Sequence, residues 1–86
     1  MTVEGVQEKV REILLEILDV KEEDIVPTAK FIDDLQATSI DLVEILTAFQ
    51  NTFDVSIDDE QAAKLTTVQD AVDFLQSAIS QKEAMS

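Results

Sequence analysis

The segment Asp34-Leu35-Gln36-Ala37-Thr38-Ser39-Ile40-Asp41-Leu42-Val43-Glu44 sets one serine at the head of an apolar run and surrounds it with carboxylates. A serine hydroxyl is unreactive near neutral pH unless an adjacent base, commonly histidine, takes its proton. This chain has no histidine. If Ser39 takes part in chemistry, it is therefore as an acceptor, an attachment point that another enzyme modifies. Cysteine is absent as well, which excludes disulfides and thiol chemistry and, with histidine missing, a structural zinc site. The paired acids Asp33-Asp34 and Asp58-Asp59 read as solvated and capping residues, so catalytic activity is not expected. Neither Asp58-Asp59-Glu60 nor Glu22-Glu23-Asp24 has the spaced ligands and central glycine of an EF-hand calcium loop.

Charge narrows the partners. Nineteen acids against six bases give a formal charge of −13, which repels nucleic acid and anionic membrane surfaces. Protein partners with basic patches fit best, because opposite potentials speed encounter and fix orientation. The distribution is uneven. From Phe31 to Ala63 there is no lysine or arginine, but eight acids occur: Asp33, Asp34, Asp41, Glu44, Asp54, Asp58, Asp59 and Glu60. The acidity is thus concentrated around Ser39, which solubility alone does not require.

The elements that must position Ser39 follow from periodicity. With 86 residues there is room for one small core. Val3, Val6, Val10, Ile13, Leu14, Ile17 and Leu18 recur at three- and four-residue steps and predict a helix from about Val3 to Leu18, with Leu15 partly exposed. Asp19 to Thr38 has no clean period, and Pro27 interrupts helix. It reads as a long loop pinned to the core by Val20, Ile25, Val26, Phe31, Ile32 and Leu35, with short helical turns near Glu22–Ile25 and Phe31–Leu35. A second helix is predicted from Ser39 to about Thr52, with Leu42, Val43, Leu46, Phe49 and Phe53 facing inward and Ile40, Ile45 and Ala48 widening the apolar surface. Asp58 caps a short third helix ending near Lys64. Thr67 and Asp70 form a capping box that opens a last helix to about Ile79, built on Val68, Ala71, Val72, Leu75 and Ile79. The expected fold class is all-α: a four-helix bundle of three longer helices and one short one, with no strand. Residues 1–80 form the single domain and 81–86 a frayed tail. Met1-Thr2-Val3-Glu4-Gly5 has no basic stretch leading into an apolar run, and no segment has the length of a membrane span, so a cytoplasmic protein is expected.

Thr38-Ser39-Ile40-Asp41 also fits a capping box, and hydroxyls before apolar helices are common for that reason alone. The local residues therefore support two readings: an acidic helical protein-interaction module with Ser39 only as a helix cap, or an attachment site. At the first helical position a side chain points outward, toward the positive end of the helix dipole, a place suited to a phosphodiester. The adjoining helix offers an apolar flank for a hydrocarbon chain.

Over about Val3 to Ile79 the chain resembles the acyl carrier proteins. The resemblance rests on Phe31-Ile32-Asp33-Asp34-Leu35, Thr38-Ser39-Ile40, Asp41-Leu42-Val43-Glu44, Phe53-Asp54, Ile57-Asp58-Asp59-Glu60 and Ala62-Ala63-Lys64-Leu65-Thr66-Thr67-Val68, in that order. It implies a non-catalytic, monomeric carrier on which a phosphopantetheinyl transferase moves 4'-phosphopantetheine from coenzyme A to Ser39. It further implies acyl groups held as thioesters for enzymes of fatty-acid, polyketide or related biosynthesis. Asp34, Asp41, Glu44, Ile40, Asp59 and Glu60 then meet partners with basic patches, and Phe31, Val43, Leu46, Ala62, Leu65 and Leu75 line an acyl chain. Three positions depart from the family pattern: Gln36 replaces a glycine, Thr38 replaces the aspartate before the serine, and Thr47-Ala48-Phe49-Gln50-Asn51-Thr52 lacks the usual acids. Those departures imply a specialised carrier with its own enzymes.

Overall fold

A computed structural model describes residues 3–85, with side-chain environments for residues 4–82. Met1, Thr2, Ser86 and the side chains of Val3, Glu83, Ala84 and Met85 lie outside the described residues. The chain forms α1 (Val3–Ile17), α2 (Ser39–Phe53), α3 (Asp59–Ala63) and α4 (Val68–Met85), with a short 3-10 turn at Glu22–Asp24. Helix α1 packs on both α2 and α4. No strand forms among the described residues; Lys30 and Thr67 make a single antiparallel bridge. The expected four-helix, all-α architecture is the one observed.

Helix starts are built from short-range side-chain bonds. Thr38 and Asp41 exchange bonds at α2, Asp58 and Gln61 at α3, and Thr67 and Asp70 at α4. Each box satisfies two of the amides that a helix N-terminus leaves without intrahelical partners. The long loop is fastened to the start of α4 by Phe31 N–H to Thr66 carbonyl, Val68 N–H to Ala29 carbonyl and Gln69 N–H to Pro27 carbonyl. Its turn at 30–35 closes with Leu35 N–H donating to the Lys30 carbonyl and the Lys30 N–H to Asp34 Oδ2.

The core joins Val6, Val10, Ile13, Leu14 and Leu18 of α1 and the residue after it to Ile45, Phe49 and Phe53 of α2 and Val68, Ala71, Val72, Leu75 and Ile79 of α4. Ile25, Phe31 and Leu35 fill it from the loop, as expected, but Val26 and Ile32 are exposed. The inward face of α2 is also rotated from the expected one. Ile45 is at its centre, whereas Val43, assigned to the inward stripe, is 63% exposed. Two residues apart on a helix lie roughly 160° apart, so only one of the pair can face the core. Helix α4 continues to Met85, past the expected end at Ile79. α3 has no buried residue.

Two non-glycine residues adopt the left-handed conformation: Gln36 at φ 57° and Asp54 at φ 54°. Such a conformation costs a residue with a Cβ about 1 kcal/mol. At Asp54 the chain offsets it. Its N–H donates to the Gln50 carbonyl, and Lys82 of α4 bonds both its carbonyl oxygen and its carboxylate. Helix α2 has no basic residue in its last turn, so Lys82 supplies the cation favoured at a helix C-terminus from 28 residues away. The Lys82 hydrogen bond, aided by its charge and opposed by slight desolvation, holds the Asp54 carboxyl below its ordinary value of 3.8. A lowered carboxyl pKa gives stability that is present above the ordinary carboxylate range and lost as pH falls through the folded value. Lys82→Met is therefore expected to lower the melting temperature at pH 7, with the difference from the parent shrinking as pH drops below 3.8. Paired thermal melts across that range measure it.

Candidate functional site

Ser39 is the first residue of α2 and is exposed. The residue before it, Thr38, is extended and does the capping: its Oγ1 accepts the Asp41 N–H at 3.2 Å, while Asp41 Oδ2 accepts the Thr38 N–H at 3.1 Å. Ser39 thus has no capping duty, and its hydroxyl makes no hydrogen bond among the described residues. The box also leaves the Ser39 and Ile40 amides, which have no intrahelical acceptor, at the positive end of the helix dipole. These features fit an oxygen that carries a phosphodiester.

A cleft of about 320 Å³ opens one helical turn away. Phe31, Ile32, Leu42, Ala62, Ala63 and Leu65 give it an apolar lining, and Lys30, Asp33 and Thr66 stand at its polar edge. Leu42 connects the two features, since residues three apart share a helix face. Of the residues expected to line an acyl chain, Phe31, Ala62 and Leu65 border this cleft. The others do not: Leu75 is fully buried in the core, Leu46 is half-buried against it, and Val43 faces solvent. Leu42 and Ile32 border the cleft as well. Periodicity could not tell Leu42 from Val43, because α2 is apolar on more than one side.

The acidic residues divide by role. Asp34 and Asp41 hold backbone N–H groups of their own turns. The side chains of Glu44, Asp59 and Glu60 are exposed and make no hydrogen bond or ion pair among the described residues. Ile40, 72% exposed, and Val43 form an apolar step on the outer face of α2 between Asp41 and Glu44. Toward its far end α2 carries no acid before Asp54, and Gln50 is occupied in structure, its Oε1 accepting the Ile57 N–H at 3.3 Å. Asp58 likewise caps α3, and among the described residues no group of three acids could hold a metal ion.

Residues 8–75 match the family described as the phosphopantetheine attachment site. Among solved structures, the chain is similar to the acyl carrier protein from Enterococcus faecalis, at 35% sequence identity and a TM-score of 0.78, over 91% of this chain and 99% of that one. The chain belongs to the acyl carrier protein family. It is a carrier and not an enzyme, and its cofactor is 4'-phosphopantetheine. As an acyl carrier protein it works with transferases and acyl-handling enzymes. None of its described helices is long and apolar enough to cross a membrane.

Proposed function

We propose that Ser39 receives the phosphopantetheine and that this carrier delivers thioester-bound acyl intermediates to enzymes of fatty-acid, polyketide or related biosynthesis in the cytoplasm, as a monomer whose working domain is residues 1–80. The observation that carries this reading is the division of labour at the start of α2, where Thr38 caps the helix and the Ser39 hydroxyl is left exposed. The competing reading, an interaction module with Ser39 as a cap, assigns the serine a task that Thr38 performs.

In the transfer, Ser39 Oγ bonds to the phosphorus that bears pantetheine. The pyrophosphate linkage of coenzyme A breaks, and adenosine 3',5'-bisphosphate leaves. The hydroxyl proton passes to a base of the transferase, since this chain has no histidine to take it. The exposed amides of Ser39 and Ile40 favour the resulting negative charge. Once attached, the cofactor supplies the thiol that a chain without cysteine lacks. Phe31, Leu42, Ala62 and Leu65 would shelter an acyl chain, and Ile40 with Asp34, Asp41, Glu44, Asp59 and Glu60 would engage basic partner surfaces.

Intact mass after incubation with coenzyme A and a promiscuous transferase tests the assignment. The expected result is a gain of one phosphopantetheine, mapped to the peptide that contains Ser39; no gain with several transferases would favour the interaction module. The neutral far end of α2 supports a specialised carrier. Asn51→Glu with Thr52→Glu is expected to increase loading by general fatty-acid enzymes severalfold at low salt, through steering by added charge. An unchanged rate would count against specialisation.

A further inference from the structure

We propose that the Gln36 carboxamide is a recognition contact for the transferase that loads Ser39, donating a hydrogen bond to a carbonyl or carboxylate acceptor on that enzyme. The inference rests on the assignment of Ser39 as the attachment residue. The two left-handed residues differ in what supports them. Asp54 is a short polar residue that suits this conformation, and its carbonyl and carboxylate are both held by Lys82. Gln36 has neither advantage. Its side chain is exposed and makes no hydrogen bond among the described residues.

Nothing within the turn calls for that side chain. The flanking bonds, Leu35 N–H to the Lys30 carbonyl and Ala37 N–H to the Phe31 carbonyl, are backbone bonds that glycine at position 36 would leave intact. Glycine would also adopt φ 57° without steric cost. By folding criteria alone glycine is the better residue. Strain retained without internal compensation, three residues before Ser39, points to an external use.

The surroundings say what that use is. Gln36 borders a recess whose other polar side chains are Asp19, Asp24, Asp34 and Asp41. Ionised carboxylates only accept hydrogen bonds, so the Gln36 Nε2 is the sole side-chain donor among the residues lining the recess. A transferase approaching Ser39 meets acids with its basic groups. Among the side chains that line the recess, only Gln36 can reward a neutral or anionic acceptor, which makes it a determinant of which enzyme fits.

Steady-state loading by the phosphopantetheinyl transferase of the native host, followed by intact mass, decides the matter for the parent chain, Gln36→Gly and Gln36→Ala. Loss of one neutral hydrogen bond predicts a roughly five- to tenfold rise in KM, with kcat within about twofold, in both variants. Gln36→Gly should also melt a few degrees higher than the parent, while Gln36→Ala, which keeps the strained backbone, should not. A parent-like KM in either variant overturns the proposal; in particular, slow loading of the glycine variant with normal loading of the alanine variant would assign the effect to the backbone. These results are separable from failure of the Ser39 assignment. A parent chain that gains no mass, or a Ser39→Ala chain that still does, overturns that assignment and this proposal together.

Discussion

Replacing Ser39 with alanine is expected to remove the phosphopantetheine mass gain completely and to leave the melting temperature within about a degree or two of the parent. The two halves of this expectation come from the same geometry. Ser39 is exposed, and the bonds that start α2 run between Thr38 and Asp41. Alanine is also the best helix former, so the first position of the helix loses nothing by the change. Thr38→Val reverses the pattern. It removes the cap while keeping the acceptor oxygen, and should destabilise the fold by about 1 kcal/mol. Differential scanning calorimetry and intact mass on both variants separate the two residues. A large loss of stability in Ser39→Ala would show that the serine holds the fold and would count against its being left free for modification.

The largest loss of stability is expected for Phe49→Ala. Phe49 is the largest of the fully buried side chains and lies where α2 meets the rest of the core. Its ring also stands against Phe53, with centroids 6.4 Å apart and planes tilted by 59°, nearer to edge-to-face than to face-to-face and within the separation at which aromatic pairs attract. Truncation removes the transfer free energy of the ring and leaves a cavity, a combined cost of about 3–5 kcal/mol. A domain of this size has a total stability of only about 4–13 kcal/mol. Phe49→Ala should therefore unfold at a much lower urea concentration, with partial unfolding at room temperature if the parent lies low in that range. Val43→Ala gives the contrasting control, since Val43 lies on the same helix but in solvent, and should change stability by less than about 0.5 kcal/mol. Urea titrations followed by circular dichroism provide the comparison.

The contrast between Phe49 and Val43 marks where the sequence was legible. Helix starts were readable because each depends on residues three apart, such as Thr67 and Asp70. The cap beside Ser39 was readable for the same reason: Thr38 and Asp41 stand three residues apart. The loop turns near Glu22 and Phe31 were also visible from spacing. The orientation of α2 was not, because Ile40, Leu42, Val43, Ile45 and Leu46 are all apolar and leave its inward face undetermined without neighbours. That ambiguity left Val43 and Leu42 indistinguishable by spacing, although Val43 faces solvent and Leu42 borders the cleft. The far end of α4 was hidden by a different cause. Residues beyond Ile79 have little apolar periodicity, and there α4 is tied by a tertiary contact, Lys82 to Asp54. The left-handed turn at Gln36 had a sequence signal only as a missing glycine, and its meaning emerged from its backbone angle.

The reciprocal bonds that open α2, α3 and α4 have a kinetic side. Each is closed by groups already adjacent along the chain, so no distant segment must arrive before a helix has its boundary. Such local contacts offset part of the cost of starting a helix and shorten the search for the native topology. After any local opening, each helix can therefore recover its own end from residues three apart, with no memory required beyond them.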